Sequence, residues 1–167
     1  MQVINNWSVQ ELGAVMDRLE ILESVRNLIT KLPNATSLLT EVAKLLHREC
    51  PQYHWVGFYL LQGEELLLGP FEGKPTPHTR ISLSQGICGA AASSGETVIV
   101  DDVNADPRYL ACSLETRSEI VVPIFNRGRI LGEIDIDSDQ PAAFTAQDRE
   151  LLETVAALIA HRYNTLL

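Results

Sequence analysis

Residues 118–137, SEIVVPIFNRGRILGEIDID, restrict the fold of this chain more than any other segment. Two runs rich in β-branched residues flank Asn126-Arg127-Gly128, a turn signal between alternating hydrophobics. The segment is therefore predicted to be a β-hairpin with strands over 118–125 and 129–137. Side chains alternate across a strand, which predicts Ile130, Gly132, Ile134 and Ile136 on one face. Leu131, Glu133, Asp135 and Asp137 then fall on the other. A strand that is apolar on one side and carries three carboxylates on the other either faces open water or lines a polar pocket.

The flanking segments supply layers for that hairpin. Ser8 can cap a helix running to about Lys31, with Glu11 completing a capping box. Leu12, Val15, Leu19, Leu22 and Ile29 form a coiled-coil-like seam interrupted by Arg26, suited either to docking on its own domain or to a dimer contact. Leu32-Pro33 ends this helix, because the residue before proline avoids the helical region. Asn34 caps a second helix with a single apolar stripe (Ala35, Leu38, Leu39, Val42, Leu45, Leu46), closed by Cys50-Pro51.

Residues 54–61 read as an aromatic-rich strand, with Trp55, Gly57, Tyr59 and Leu61 on one face and Val56, Phe58 and Leu60 on the other. A turn at Gln62-Gly63 leads to a short partner over 65–68 and an irregular exit over 69–74. A brief strand over 80–83, an Ala-rich helix over 86–94 ending at Gly95, and a strand over 97–100 follow. Residues 101–113 are a long polar loop, a length that often serves function. Thr145 caps the last helix, with Asp148 three residues on and a stripe of Leu151, Leu152, Val155, Leu158 and Ile159. The 167 residues suit one domain, residues 1–167, of the α+β class. One face of its central antiparallel sheet packs on the N- and C-terminal helices, and the other is free to carry a site.

Charge and cysteine usage exclude several functions. The net charge of -9 gives no electrostatic source of affinity for phosphate backbones, so no nucleic acid partner is expected. No apolar run approaches the roughly 18 residues of a membrane span, and the amino terminus lacks a signal pattern. Three cysteines without framework spacing suit a reducing cytoplasm, where thiols are free or redox-active. The four histidines are scattered outside any zinc-ligand spacing, so no metal site is expected.

Cys88 falls in the first turn of a predicted helix, where unpaired N–H groups and the helix dipole favour a thiolate; it also suits a small buried apolar position. Cys112 ends the long loop, where exposure permits reactivity, whereas Cys50 closes an amphipathic helix and packs. Glu119, Asp135 and Asp137 either solvate an exposed sheet face or gather beside Trp55 and Tyr59. Carboxylates next to aromatic rings suit a small cationic or zwitterionic ligand, pairing its ammonium and covering its apolar part.

At these residues the sequence resembles a GAF domain and, within that superfamily, the free methionine-(R)-sulfoxide reductases. The matching blocks are WVGFYLL (55–61), LGPFEGK (68–74), GICG (86–89), LAC (110–112), SEIVVPI (118–124) and DIDS (135–138). The resemblance implies a GAF-like sheet of about six strands and thiol-dependent reduction of the free amino acid sulfoxide. It makes Cys112 the thiol that attacks sulfur and Cys88 a resolving cysteine. Glu119, Asp135 and Asp137 would hold the substrate's polar groups, and Trp55 and Tyr59 its methyl end. The family often has a further cysteine after the FxGK block, where this chain reads Pro75-Thr76-Pro77-His78-Thr79. Turnover would then use Cys88 or an external thiol, with a thioredoxin-like reductant and no bound cofactor. The resemblance also allows a non-catalytic sensor that binds a small molecule and signals through its terminal helices. Cytoplasmic location and a homodimer through the helices complete these expectations.

Overall fold

The structure, a computed structural model, describes residues 9–111 and 113–163, with side chains over 18–111 and 113–162. Its elements are α1 (Val9–Lys31), α2 (Ala35–Glu49), β1 (Trp55–Gln62), β2 (Glu65–Glu72), β3 (Arg80–Ser82), α3 (Gly86–Ser94), β4 (Val98–Val100), β5 (Ser118–Asn126), β6 (Arg129–Ser138) and α4 (Ala146–Tyr163). All strand pairs are antiparallel, in the order β3-β2-β1-β6-β5-β4. The expected α+β class, with its six-stranded sheet, is observed. No helix among the described residues is long and apolar enough to cross a membrane.

Helices α1, α2 and α4 cover one sheet face. Val56, Phe58, Ile120, Val122, Ile124, Ile134 and Ile136 meet Leu39, Val42, Leu46, Leu152, Val155 and Ile159 there. The Asn34 side chain caps α2 by accepting from Ser37 N–H at 2.9 Å. Asp148 closes the capping box of α4, accepting from the Thr145 N–H (2.8 Å) and hydroxyl (2.6 Å), and it also accepts from the buried Tyr53 hydroxyl at 2.8 Å. One carboxylate thus ties the start of α4 to the segment entering β1.

Three local expectations change. The buried residues of α1 are Ile21 and Val25; Leu22 and Ile29 of the expected seam pack half-buried on the same core, while Leu19 is 60 % exposed. Helix α1 packs on its own domain through α2 and α4 rather than through an evenly stepped seam. The Ser8 cap, Leu12 and Val15 lie outside the residues described with side chains. Strand β2 does not stop at Leu68: a bulge lets Phe71 pair with Gly57 and Leu68 with Tyr59, and the strand continues through Pro70 to Glu72.

The third change is in the hairpin itself. Ile124 pairs with Gly132 but Phe125 pairs with Ile130, so Leu131 is an inserted residue. The bulge turns Leu131 towards the three helices and Ile130 to the opposite face, reversing the alternation expected for these two. A Cβ on Gly132 would sit 2.1 Å from the Tyr59 carbonyl oxygen, so only glycine lets β1 and β6 approach at this kink.

Candidate functional site

Beyond the bulge the alternation holds, and the pairing aligns three rungs across β1, β6 and β5. Trp55, Asp137 and Glu119 form the first; Gly57, Asp135 and Val121 the second; Tyr59, Glu133 and Pro123 the third. Directly paired residues of antiparallel strands share a face. This face is neither bare nor wet. Helix α3 lies over it and buries Ile87, Cys88, Ala91 and Ala92 against Trp55, Tyr59 and Val121. Glu119, Glu133, Asp135 and Asp137 are all buried, and Glu133 is 0 % exposed. Of the two alternatives for the acidic face, open water is excluded: the face is buried, and its Asp137 end borders a cavity.

Two connecting segments finish the enclosure. The Trp55 indole N–H donates to the Lys74 carbonyl (3.0 Å) and the Tyr59 hydroxyl to the His78 carbonyl (2.6 Å), fastening both rings to the chain that leaves β2. That chain meets the long loop before β5 through the Lys74–Glu115 ion pair and a His78 Nε2 contact to the Ala111 carbonyl at 3.1 Å. Between them a cavity of about 150 Å³ is lined by Trp55, Asp137, Lys74, Ser113 and Thr116, among others. The indole stacks on Phe71 with centroids 5.6 Å apart and stands 6.4 Å from Tyr59. It lies across Gly57, where a Cβ would fall 2.1 Å from the ring.

Electrostatics follow from burial. Glu119 is pushed well above the usual carboxylate range by desolvation, then by Asp135, Asp137 and Glu133. Asp137 rises through burial and the neighbouring Asp135. Burial also raises Glu133, with the adjacent Cys88 thiol pulling the other way, and it brings Asp135 to about 7 against the same thiol. Neither oxygen of Glu133, nor Oδ1 of Asp135 or Asp137, has a hydrogen-bond partner among the described residues. No Lys, Arg or His is buried among the described residues to offset these acids.

The structure thus gathers Cys88, Glu119, Asp135, Asp137, Trp55 and Tyr59 at one buried sheet face beneath α3, and of these Trp55 and Asp137 also line the cavity. Cys112 lies outside the described residues. Cys50 is buried at the far end of α2 on the opposite face, its thiol pushed up to about 12 by burial. Of the two readings of Cys88, the structure favours the small buried position: desolvation first, then Asp135, Glu133 and Glu119, raise its thiol well above the ordinary value. A helix N-terminus contributes about 0.3–1 kcal/mol, too little against full burial beside acids. Glu133 belongs to the site although the sequence reading assigned it no role; the same alternation that selected Asp135 and Asp137 selects it too. One donor atom from each of Cys88, Glu119 and Asp135 lies within 4.8 Å of the others.

Comparison with known proteins agrees with this geometry. The GAF domain family matches residues 34–163. The free methionine-R-sulfoxide reductase of Saccharomyces cerevisiae is 46% identical over 137 residues, which is 80% of this chain and 74% of that protein. The free methionine-R-sulfoxide reductase from Neisseria meningitidis, solved in complex with its substrate, superposes with a TM-score of 0.84 at 37% identity, covering 88% of each chain. The type II free methionine-R-sulfoxide reductase from Thermoplasma acidophilum gives 0.76 at 41% identity, over 80% of this chain and 94% of its own. With the fold matched and such identity sustained over most of its length, this chain belongs to the GAF-domain free methionine-(R)-sulfoxide reductase family.

Proposed function

We propose that this protein reduces free methionine-(R)-sulfoxide to methionine, with electrons from an external thioredoxin-like dithiol and no resident cofactor. The observation that carries the reading is the set of four buried carboxyl groups on one sheet face, with no buried base among the described residues. Such a pocket calls for a positively charged guest, and the ammonium of a free amino acid is one. A methionine sulfoxide inside a peptide has lost that charge. Trp55 and Tyr59 then cover the methyl end of the guest.

Each group has a task in the chemistry. Glu119, held protonated by burial and by its acidic neighbours, donates its proton to the sulfoxide oxygen and makes the sulfur electrophilic. The Cys112 thiolate attacks that sulfur. The oxygen passes to the cysteine, the substrate S–O bond breaks, and methionine leaves with Cys112 as a sulfenic acid. Asp135, at about 7 and beside Cys88, accepts the Cys88 proton as this thiol attacks the sulfenic sulfur and passes it to the departing hydroxyl, which leaves as water. The external dithiol reduces the resulting disulfide. His78 stands in the segment where the family often has a further cysteine, which leaves Cys88 or an external thiol to close the cycle.

The decisive experiment couples turnover to NADPH through thioredoxin and its reductase. Rapid oxidation is expected with free methionine-(R)-sulfoxide and little with the same residue in a peptide. Equal rates on the two would overturn the reading. A cytoplasmic homodimer through the helical layer fits the same picture, and light scattering that returns a monomer would remove the dimer.

A further inference from the structure

The geometry points to a second occupant for this buried face: a soft divalent cation of the zinc or cadmium type, held by Cys88, Glu119 and Asp135 with the Glu133 carboxyl beside the sulfur, and mutually exclusive with the sulfoxide. Three facts carry it. The first is convergence: one donor atom from each of the three ligands lies within 4.8 Å of the other two, and all three residues are buried. Ligand atoms of a tetrahedral site with bonds of 2.0–2.3 Å stand roughly 3.3–3.8 Å apart, so closure needs movements of about 1 Å, within the reach of small side-chain rotations.

The second fact is independent of that cluster. Glu133 is 0 % exposed, its carboxyl lies beside the Cys88 thiol, and neither oxygen has an N–H or O–H donor among the described residues. A fully buried carboxyl without an N–H or O–H donor is the kind of group that a cation completes. The third is the donor set. One sulfur with carboxylate oxygens favours zinc or cadmium, whereas magnesium and calcium demand oxygen ligands alone and usually several waters. The ion would neutralise the charge that the ammonium of a free amino acid otherwise meets, so metal and substrate compete. It would also hold the Cys88 sulfur away from any sulfenic acid. A chelatable metal thus becomes a reversible off-switch. Only this competition rests on the proposed substrate; the binding of metal does not.

The test titrates cadmium into the reduced full-length protein and follows the thiolate-to-cadmium charge-transfer absorption in the ultraviolet, without substrate or thioredoxin. A saturable band at about one cadmium per chain is expected. Cys88→Ser should abolish it, Cys112→Ser should keep it, and Glu133→Gln should weaken binding by about 10–100-fold. Magnesium should leave the band unchanged and methionine should reduce it competitively. Asp135→Asn, which leaves every cysteine in place, should weaken the ion at least about tenfold and guards against a poorly folded Cys88→Ser. A band that survives in Cys88→Ser, one lost in Cys112→Ser, or no band in excess cadmium would each overturn the inference. Turnover without a band would sink the metal site alone; a band without turnover would sink the reductase reading alone.

Discussion

Gly57 offers a sharp perturbation because its lack of a side chain is what the Trp55 indole rests on. In Gly57→Ala the new Cβ would lie 2.1 Å from Cη2, 2.5 Å from Cζ3 and 2.9 Å from Cζ2 of that ring. Ordinary carbon contacts begin near 3.5 Å, so the indole must retreat by about 1.5 Å. It has little room, being stacked on Phe71 and anchored through its N–H to the Lys74 carbonyl. Overpacking of this kind costs about 1–3 kcal/mol, and losing the indole hydrogen bond adds about 1. For a domain of this size each kcal/mol lowers Tm by about 2–4 °C, so thermal unfolding should fall by about 5–15 °C. The displaced ring also leaves the wall of the cavity beside Asp137, and on the proposed function KM for the sulfoxide should rise at least about tenfold. The smaller ring of a Gly57→Ala/Trp55→Phe double variant should recover much of the stability. A Gly57→Ala protein with unchanged Tm and KM would refute the placement of the indole across this glycine.

The buried acids make stability depend on pH. Asp135 rises from 3.8 to about 7 on folding, so over that interval the folded state binds more protons than the unfolded one and stability falls as pH rises. Between about pH 5 and about pH 8.5 this group alone should cost about 3 kcal/mol with chelator present, and Asp135→Asn should flatten the melting profile over that range; equal slopes for the two proteins would contradict it. Asp148→Ala leaves the Tyr53 hydroxyl and the first turn of α4 without their acceptor, and denaturant titration should show a loss of about 3 kcal/mol with site chemistry unchanged. Cys112→Ser should abolish methionine formation, whereas Cys88→Ser should complete one turnover and accumulate a sulfenic acid that a dimedone-type probe traps; full activity in both would remove the thiol mechanism.

Much of the fold is legible in local signals. The Asn34 and Thr145 caps, the faces of β1 and the parity of Glu133, Asp135 and Asp137 follow from chemistry within a few residues. Errors arise where a residue's state depends on a distant partner. The insertion at Leu131 exists only relative to β5, and the extension of β2 only relative to β1, so strand-by-strand alternation contains neither. Leu19 steps in line with Leu22 and Ile29, yet it is exposed while Ile21 and Val25 are buried, because α2 and α4 set the contact line of α1. The acidic face has the same pattern whether wet or buried. It is α3 and the loop before β5, remote in sequence, that close over it. That closure also decides between the two readings of Cys88, since burial beside carboxyl groups outweighs the helix terminus.

The most direct test of the central claim is a single turnover on separated sulfoxide epimers, with reduced protein and no thioredoxin, read by amino-acid analysis and thiol titration. The (R) epimer of the free amino acid should yield about one equivalent of methionine per chain with loss of two free thiols, and the (S) epimer none. Binding of the (R) epimer without any methionine formed, and with all thiols intact, would contradict a reductase and leave a binding domain in its place.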